Sequence, residues 1–177
     1  MIHKDAKTIF YKFLDLSGSY AIASPPNLSA LLSYCKESRP IHILELGGGI
    51  GTLSYAALGA CDATIHVYEE NEFCRSQIKE NLGPLIRRVS LIDSYDKDPP
   101  LRRYDLVIID GPDCESLRER DEYTRKILSQ LSEIRCIFIE GSRYNQRRIS
   151  QKVMSNLTSF KIKQVRSAEF EDLGLVK

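Results

Sequence analysis

The chain has 177 residues, of which 42% are hydrophobic and 28% are charged, values typical of a globular protein with a single domain. Its 25 basic and 24 acidic side chains give a net charge of +1, so it lacks the broad positive field on which non-specific nucleic-acid binding depends, and we expect no nucleic-acid partner. No apolar run approaches the roughly 20 residues of a membrane span, and residues 1–12 lack a signal-peptide core, so we expect a cytoplasmic protein with no membrane partner.

Short β-branched runs alternate with longer segments of helical spacing, which is the pattern of a parallel sheet covered by helices. Strands are predicted at 41–46, 64–69, 89–92, 104–110 and 134–140. The last two are apolar enough to be buried on both faces. The pattern predicts an α/β fold of three layers, in which a doubly wound, mostly parallel sheet lies between helices.

Helices are predicted between these strands. One begins at Pro25-Pro26-Asn27, one opens from the glycine run after the first strand, and one is capped by Asn71 and ends near Gly83. Further helices are predicted over 117–131 and around Ile149, Val153 and Leu157. Alternation at 160–166 and 173–177 predicts a C-terminal antiparallel hairpin at the sheet edge. We read 1–177 as one domain, with a helical or lid segment over 1–27 and a core over 28–177.

The segment ILELGGGIGTLS holds four of the ten glycines, between a strand and a helix. In that context glycine permits positive φ angles and lets a ligand touch bare backbone. The dinucleotide motif GxGxxG would need glycine at position 52, which is Thr52, whereas Gly47, Gly49 and Gly51 spell GxGxG behind Glu45. The spacing therefore departs from the fingerprint that holds a pyrophosphate.

This segment resembles the first motif of the class I S-adenosylmethionine-dependent methyltransferases, which has an acidic residue, one spacer and GxGxG. The resemblance covers residues 28–177 and implies a Rossmann-like fold with S-adenosylmethionine as cofactor. It implies that Gly47, Gly49 and Gly51 approach the methionyl part of the cofactor. It also implies that Glu45 assists the ammonium group of the cofactor.

Two further acidic positions follow in the order that the family has. Glu69 ends the second strand eighteen residues beyond Gly51, near the spacing of a carboxylate that accepts both ribose hydroxyls. Asp93 follows the third strand, where the family commonly places an acceptor for the adenine amino group. Exposed carboxylates beside a helix start, and a solvated turn around Asp93, are the alternative interpretations.

Residues just after the fourth and fifth strands are candidates for the chemistry, because ligands of open α/β sheets bind outside the carboxyl ends of the strands. Asp110 and Glu140 hold these positions. Methyl transfer needs alignment and a way to deprotonate the acceptor oxygen, so we predict Asp110 and Glu140 as catalytic carboxylates. Arg143 and Tyr144 are predicted to bind an anionic or sugar-like acceptor, with an exposed helix start as the equal alternative.

The segment IIDGPD resembles small-molecule O-methyltransferases of the same class, which implies O-methylation of a small-molecule acceptor. The metal-dependent branch of these enzymes has Lys, Asp and Asn where this chain has Asp113, Glu140 and Gly141. We therefore assign no metal. Mg²⁺ held by two carboxylates is the disfavoured alternative.

Two other activities remain open. An aminopropyltransferase-like enzyme shares the fold and an Asp after the fourth strand, but its polyamine pocket should be rich in carboxylates. A non-catalytic S-adenosylmethionine-binding protein that acts through a partner fits the incomplete metal triad. The segment 1–27 is the available cover for the pocket, and a homodimer is another way to complete it.

Overall fold

The computed structural model describes residues 4–112, 116–141 and 143–155. The predicted hairpin at 160–166 and 173–177 lies outside these residues, and so do Leu157 and Asp113. Among the described residues, no helix has the length and apolar character needed to cross a membrane.

Helices and strands alternate through most of the described chain. The strands are β1 His42–Leu46, β2 Thr64–Tyr68, β3 Val89–Ile92, β4 Arg103–Tyr104, β5 Leu106–Ile109, β6 Glu133–Ile134 and β7 Ile137–Ile139. The α-helices are α1 Lys4–Leu14, α2 Pro25–Ser38, α3 Thr52–Ala60, α4 Glu72–Leu82, α5 Leu117–Ser129 and α6 Tyr144–Ser155. Short 3₁₀ helices cover Ser19–Ala21 and Gly83–Arg88.

The main sheet has the strand order β3-β2-β1-β5-β7, and every pairing in it is parallel. The order reverses between β1 and β5, and such a reversal opens a crevice at the carboxyl ends of the two strands. This crevice is where the sequence places the glycine run and Asp110. The predicted doubly wound sheet is confirmed.

The fourth and fifth predicted strands are each divided in two, because β4 and β6 pair with each other in a separate small sheet. The side chain of Asp105 explains the first division. Its Oδ2 accepts the backbone N–H groups of Ile41 and His42 at 2.9 and 3.0 Å, and its Oδ1 pairs with Arg135 at 3.2 Å. A carboxylate that caps the start of β1 in this way interrupts the strand that carries it.

Two hydrophobic clusters cover the two faces of the sheet, which confirms the three layers. One cluster joins α1 to α4 to residues such as Ile43 and Leu106, and the other joins α5 and α6 to residues such as Leu44 and Val107. Strand β5 is buried along its whole length, as predicted, whereas β7 is only partly buried.

The helix starts follow their predicted signals. Helix α2 begins at Pro25, and the side chain of Asn71 caps α4 by accepting the N–H of Cys74 at 3.2 Å. Helix α1 belongs to the first cluster through Ala6, Ile9 and Phe13. That part of the segment 1–27 is therefore packed against the core, while residues 18–23 come close to the crevice.

Candidate functional site

The glycine run forms a tight loop at the carboxyl end of β1. The N–H groups of Gly47 and Gly48 both donate to the carbonyl oxygen of Tyr68, at 3.0 and 3.2 Å. Gly47 has a φ of 84°, and a Cβ at this position would lie 2.4 Å from the Cα of Gly111. Because the loops after β1 and β5 touch here through backbone, no larger residue fits at position 47.

Gly49 is exposed to open space in this loop. It has a φ of 51°, and a Cβ built on it would meet no atom within 4 Å. Its N–H donates to Oε2 of Glu69 at 2.8 Å, and the N–H of Asn71 donates to Oε1 of the same carboxylate at 2.9 Å. The end of β2 thus places a carboxylate directly beside the bare backbone at the end of β1.

Glu45 lies beneath the loop and is 1% exposed. Its Oε2 accepts the hydroxyl of Ser54, while its Oε1 has no hydrogen-bond partner among the described residues. Burial, together with the charges of Asp110 and Glu69, raises the pKa of Glu45 to about 8, although the bond from Ser54 opposes the rise. Such a carboxylate gains a favourable partner if a cation binds nearby.

A cavity of about 370 Å³ lies over these loops. Its walls come from residues 18–23 before α2, from the glycine loop, from the ends of β2 and β5, and from the start of α5. Of the predicted site residues, Gly47, Gly49, Glu69, Asp110 and Arg143 line it. The cavity therefore joins the exits of the strands at which the sequence placed the cofactor and the chemistry.

The exits of β5 and β7 hold a network of side chains. Nη2 of Arg143 donates to Oδ1 of Asp110 at 2.9 Å and to the carbonyl oxygen of Asp110, and its Nε donates to the carbonyl oxygen of Glu140 at 3.0 Å. Nδ2 of Asn27, a buried residue of α2, donates to Oε1 of Glu140 at 2.9 Å. Asp110 and Glu140 are therefore held by partners from opposite ends of the described chain.

The charge state of Asp110 is sensitive to this network. Burial and the charge of Glu140 raise the pKa of Asp110 to about 7, although Arg143 opposes the rise. A carboxyl group with such a pKa exchanges protons readily near neutral pH, which is the property a general base requires.

Other predicted residues lie away from the cavity walls. Asp93 pairs with Lys97, which lowers the pKa of Asp93, and Tyr95 lines the cavity after β3 instead. Tyr144 is 71% exposed at the start of α6, with the guanidinium of Arg148 over its ring. Gly51 caps α3 and packs beside Leu82. The assignments of Asp93 and Tyr144 to ligands stay predictions.

Sequence reasoning missed three residues of the site. The pattern places Asn27 only in a helix start, although an amide that precedes an apolar helix face can also turn inward. Tyr95 and Arg120 both line the cavity, but each lies in a polar segment whose pattern resembles an exposed turn or helix. No local signal distinguishes these two from solvated neighbours.

The chemistry of the cavity suits S-adenosylmethionine better than a dinucleotide. Glu69 presents an acceptor for hydroxyls, Gly49 leaves its backbone open to a ligand, and the unpartnered oxygen of Glu45 favours a cation nearby. For metals, no group of three or more His, Cys, Asp or Glu side chains suited to an ion occurs within 4–112, 116–141 and 143–155.

Solved structures share the fold. Thermoplasma acidophilum 1320 has a TM-score of 0.58 and 11% identity over 85% of this chain and 79% of that one. A precorrin-6Y C5,15-methyltransferase from Geobacter metallireducens has a TM-score of 0.54 and 18% identity over 77% and 73% of the two chains. PH1948 from Pyrococcus horikoshii, a candidate RNA methyltransferase, has a TM-score of 0.54 and 19% identity over 75% and 72%. The chain has the Rossmann-like methyltransferase fold.

The chain spans about half the length of other structures that it matches. One is the SAH-bound methyltransferase PaMTH1 from Podospora anserina, with 17% identity, a TM-score of 0.48 and coverage of 62% of this chain and 51% of that one. No protein-family model and no curated protein sequence matches the chain significantly. Because these identities are low, the similarities establish the fold alone.

Proposed function

We propose that the chain is an S-adenosylmethionine-dependent methyltransferase that methylates an oxygen atom of a small-molecule acceptor. One observation carries the proposal: Gly49, in a GxGxG loop without glycine at position 52, opens onto the cavity while its N–H holds the carboxylate of Glu69. A carboxylate in this place suits ribose hydroxyls, and Thr52 replaces the third glycine of the dinucleotide fingerprint.

The cofactor would be held mainly by the exits of β1 and β2. Gly47 and Gly49 would offer backbone to its methionyl part, and Glu69 would accept from its ribose. The ammonium group would lower the pKa of Glu45, so that Glu45 releases its proton and supplies negative charge. Gly51 supports the loop from below. Tyr95 lines the cavity after β3, on the side where the adenine ring would lie.

The chain's own residues would handle the proton. When bound, the cofactor supplies an electrophilic methyl group on a sulfonium. Asp110 accepts the proton of the acceptor hydroxyl, and Glu140 keeps the pKa of Asp110 near neutrality through its charge. Arg143 fixes Oδ1 of Asp110, and Asn27 fixes Oε1 of Glu140, so the two carboxylates keep their orientation.

Calorimetric titration tests the cofactor assignment. S-adenosylmethionine and S-adenosylhomocysteine should bind at micromolar levels, and NAD should show no comparable affinity. Tight NAD binding without binding of either sulfur compound would overturn the proposal. A methyl-transfer screen against phenols, sugars and amines then tests the reaction, and only phenols or sugars should accept the methyl group.

A chelator tests the metal alternative in the same assay. If Asp110 acts as a base without an ion, EDTA should leave turnover unchanged. Loss of turnover with EDTA and its recovery with Mg²⁺ would show that Asp110 and Glu140 share a divalent cation instead.

One observation favours a second candidate, a non-catalytic S-adenosylmethionine-binding protein that acts through a partner. Asp110, the candidate base, already forms an ion pair with Arg143. This candidate predicts cofactor binding without methyl transfer to any acceptor class. The aminopropyltransferase alternative is less favoured, because Arg120 lines the wall that follows Asp110 and would repel a polyamine at the place where the acceptor is expected.

A further inference from the structure

The charged side chains that line the cavity differ in how they are partnered. Among the described residues they are Glu69, Glu70, Asp110, Arg120 and Arg143. Glu69 accepts two backbone N–H groups, Glu70 accepts one at 3.1 Å, and Asp110 is paired with Arg143 at 2.9 Å. Arg120 is the exception.

Arg120 lies near the start of α5, four residues after the helix cap Ser116. Within the described chain its guanidinium takes part in no hydrogen bond or ion pair, and its Nε is shielded from solvent without an acceptor. A shielded donor left unpaired costs free energy, so a ligand that supplies an oxygen here would recover it. Among the cations that line the cavity, Arg120 is therefore the one whose guanidinium N–H groups are available to a ligand.

The position of Arg120 associates it with the acceptor rather than with the cofactor. The proposed cofactor contacts come from the loops after β1 and β2. Arg120 belongs to the wall that the chain builds after β5, together with Pro112 and Leu117, and this wall follows directly from Asp110. A group bound to Arg120 would lie in the same wall as the proposed base.

We propose that Arg120 binds a carboxylate of the methyl acceptor, so that the acceptor is a hydroxy acid of small size. The inference rests on the proposed function and adds the substrate class. A guanidinium presents parallel N–H donors that match the two oxygens of a carboxylate. The sequence suggested Arg143 for this role, but its Nε and Nη2 already donate to Glu140 and Asp110.

The charge balance of the cavity favours a monoanion over a phosphate dianion. Arg143 is neutralised by Asp110, which leaves Arg120 as the single available positive charge in the described lining. Glu69 and Glu70 line the same cavity and oppose additional negative charge. A carboxylate satisfies Arg120 with one negative charge, whereas a phosphate dianion would place a second charge near Glu69 and Glu70.

Binding of two matched probes tests the proposal. The full chain is saturated with S-adenosylhomocysteine and titrated with benzoate and with benzamide, its neutral isostere. We expect wild type to bind benzoate about tenfold more tightly than benzamide, and we expect Arg120→Gln to remove this preference. Arg120→Lys should retain part of it, since the charge remains and the planar fork is lost.

The control is Arg118→Gln on the same helix, where Arg118 is exposed and paired with Glu122 at 3.1 Å. This variant should keep the full benzoate preference. Equal binding of the two probes by wild type, or a preference that survives in Arg120→Gln, would overturn the proposal.

Two further titrations distinguish a contact with the acceptor from a contact with the cofactor. If Arg120→Gln weakens binding of S-adenosylmethionine but not of its decarboxylated form, Arg120 binds the carboxylate of the cofactor, and the assignment to the acceptor is wrong. If S-adenosylhomocysteine does not bind at all, the proposed function fails on its own. The probes are then titrated against the protein alone, and a benzoate preference that depends on Arg120 would still support an anion site.

Discussion

The cavity has two halves that are built by different means. At the exits of β1 and β2, polar contacts come largely from backbone: Gly47 donates to Tyr68 and Gly49 to Glu69. At the exits of β5 and β7, contacts come from side chains of distant segments, since Asn27 binds Glu140 and Arg143 binds Asp110. The first half depends on local conformation, whereas the second half depends on the packing of the whole domain.

The largest effect is expected in the backbone half. Gly49→Val should abolish detectable cofactor binding, because it places a branched side chain where the open backbone meets the ligand. The positive φ adds strain of about 1–2 kcal/mol, which the packed sheet can tolerate. Calorimetry gives the affinity, and circular dichroism shows whether the fold is kept.

Gly59→Ala is the matched control for that change. Gly59 lies in α3, and a Cβ there would also meet no atom within 4 Å. The substitution should stabilise the helix by about 0.5–1 kcal/mol and leave cofactor affinity unchanged. If the two variants bound the cofactor with equal affinity, the glycine loop would not be the cofactor site.

Asp110→Asn is the corresponding change in the side-chain half. It keeps the shape of the side chain but removes the base, so turnover should fall by about 100-fold or more while cofactor affinity is kept. The carboxyl of Asp110 is protonated below its pKa of about 7, so wild-type turnover should rise with pH through that value. Full turnover in the variant would leave Glu140 as the next candidate.

Glu69→Ala tests the carboxylate that stands beside the glycine loop. The ribose hydroxyls would lose a charged acceptor, so cofactor binding should weaken by about 1.5–3 kcal/mol. Glu70→Ala is the comparison, and it should matter far less because Glu70 accepts the N–H of Tyr95. Equal losses in the two variants would show that the carboxylates had been assigned to the wrong positions.

Asn27→Ala measures how far the second half depends on a distant segment. The substitution removes the amide that donates to Oε1 of Glu140 at 2.9 Å. Turnover should therefore fall by about tenfold, while cofactor affinity stays unchanged. Asn27→Asp should cost more, because it places a second negative charge against Glu140. An Asn27→Asp protein with normal turnover would contradict the role of Asn27 as a positioning residue.

The smallest effect concerns stability and Glu45. In the folded protein the pKa of Glu45 is about 8, well above that of an exposed glutamate, so the folded state holds a proton that the unfolded state releases. The free energy of unfolding should therefore fall as pH rises from about 5 to 8. Glu45→Gln should flatten this fall and be the more stable protein at pH 8, measured by urea titration without cofactor.

Much of the fold could be predicted from the sequence, because helix starts and buried strands are marked by neighbouring residues. Pro25 and Asn71 begin their helices as predicted, and the apolar run at β5 is buried as predicted. The division of the fourth strand into β4 and β5 could not be predicted. Asp105 lies inside an apolar pattern, and its bonds to the start of β1 require the two segments to be packed together.

The same contrast holds for the candidate site. The positions of Gly47, Gly49 and Glu69 follow from a motif and a spacing, and the structure brings them together. The bond from Asn27 to Glu140 joins residues 113 positions apart, for which no periodicity exists. Asp93 and Lys97 pair in the turn after β3, which agrees with the alternative interpretation of Asp93 as part of a solvated turn.

The hydrogen bond between Asn27 and Glu140 also determines when the two halves of the cavity can form during synthesis of the chain. A ribosome that adds about 5–20 residues per second needs roughly 6–20 s to pass from Asn27 to Glu140. The strands β1, β2 and β3 have all been synthesised by residue 92, so the glycine loop can form while the later exits are still untranslated. Until translation passes Glu140, the buried amide of Asn27 lacks its acceptor, so the half of the cavity assigned to chemistry is completed after the glycine loop.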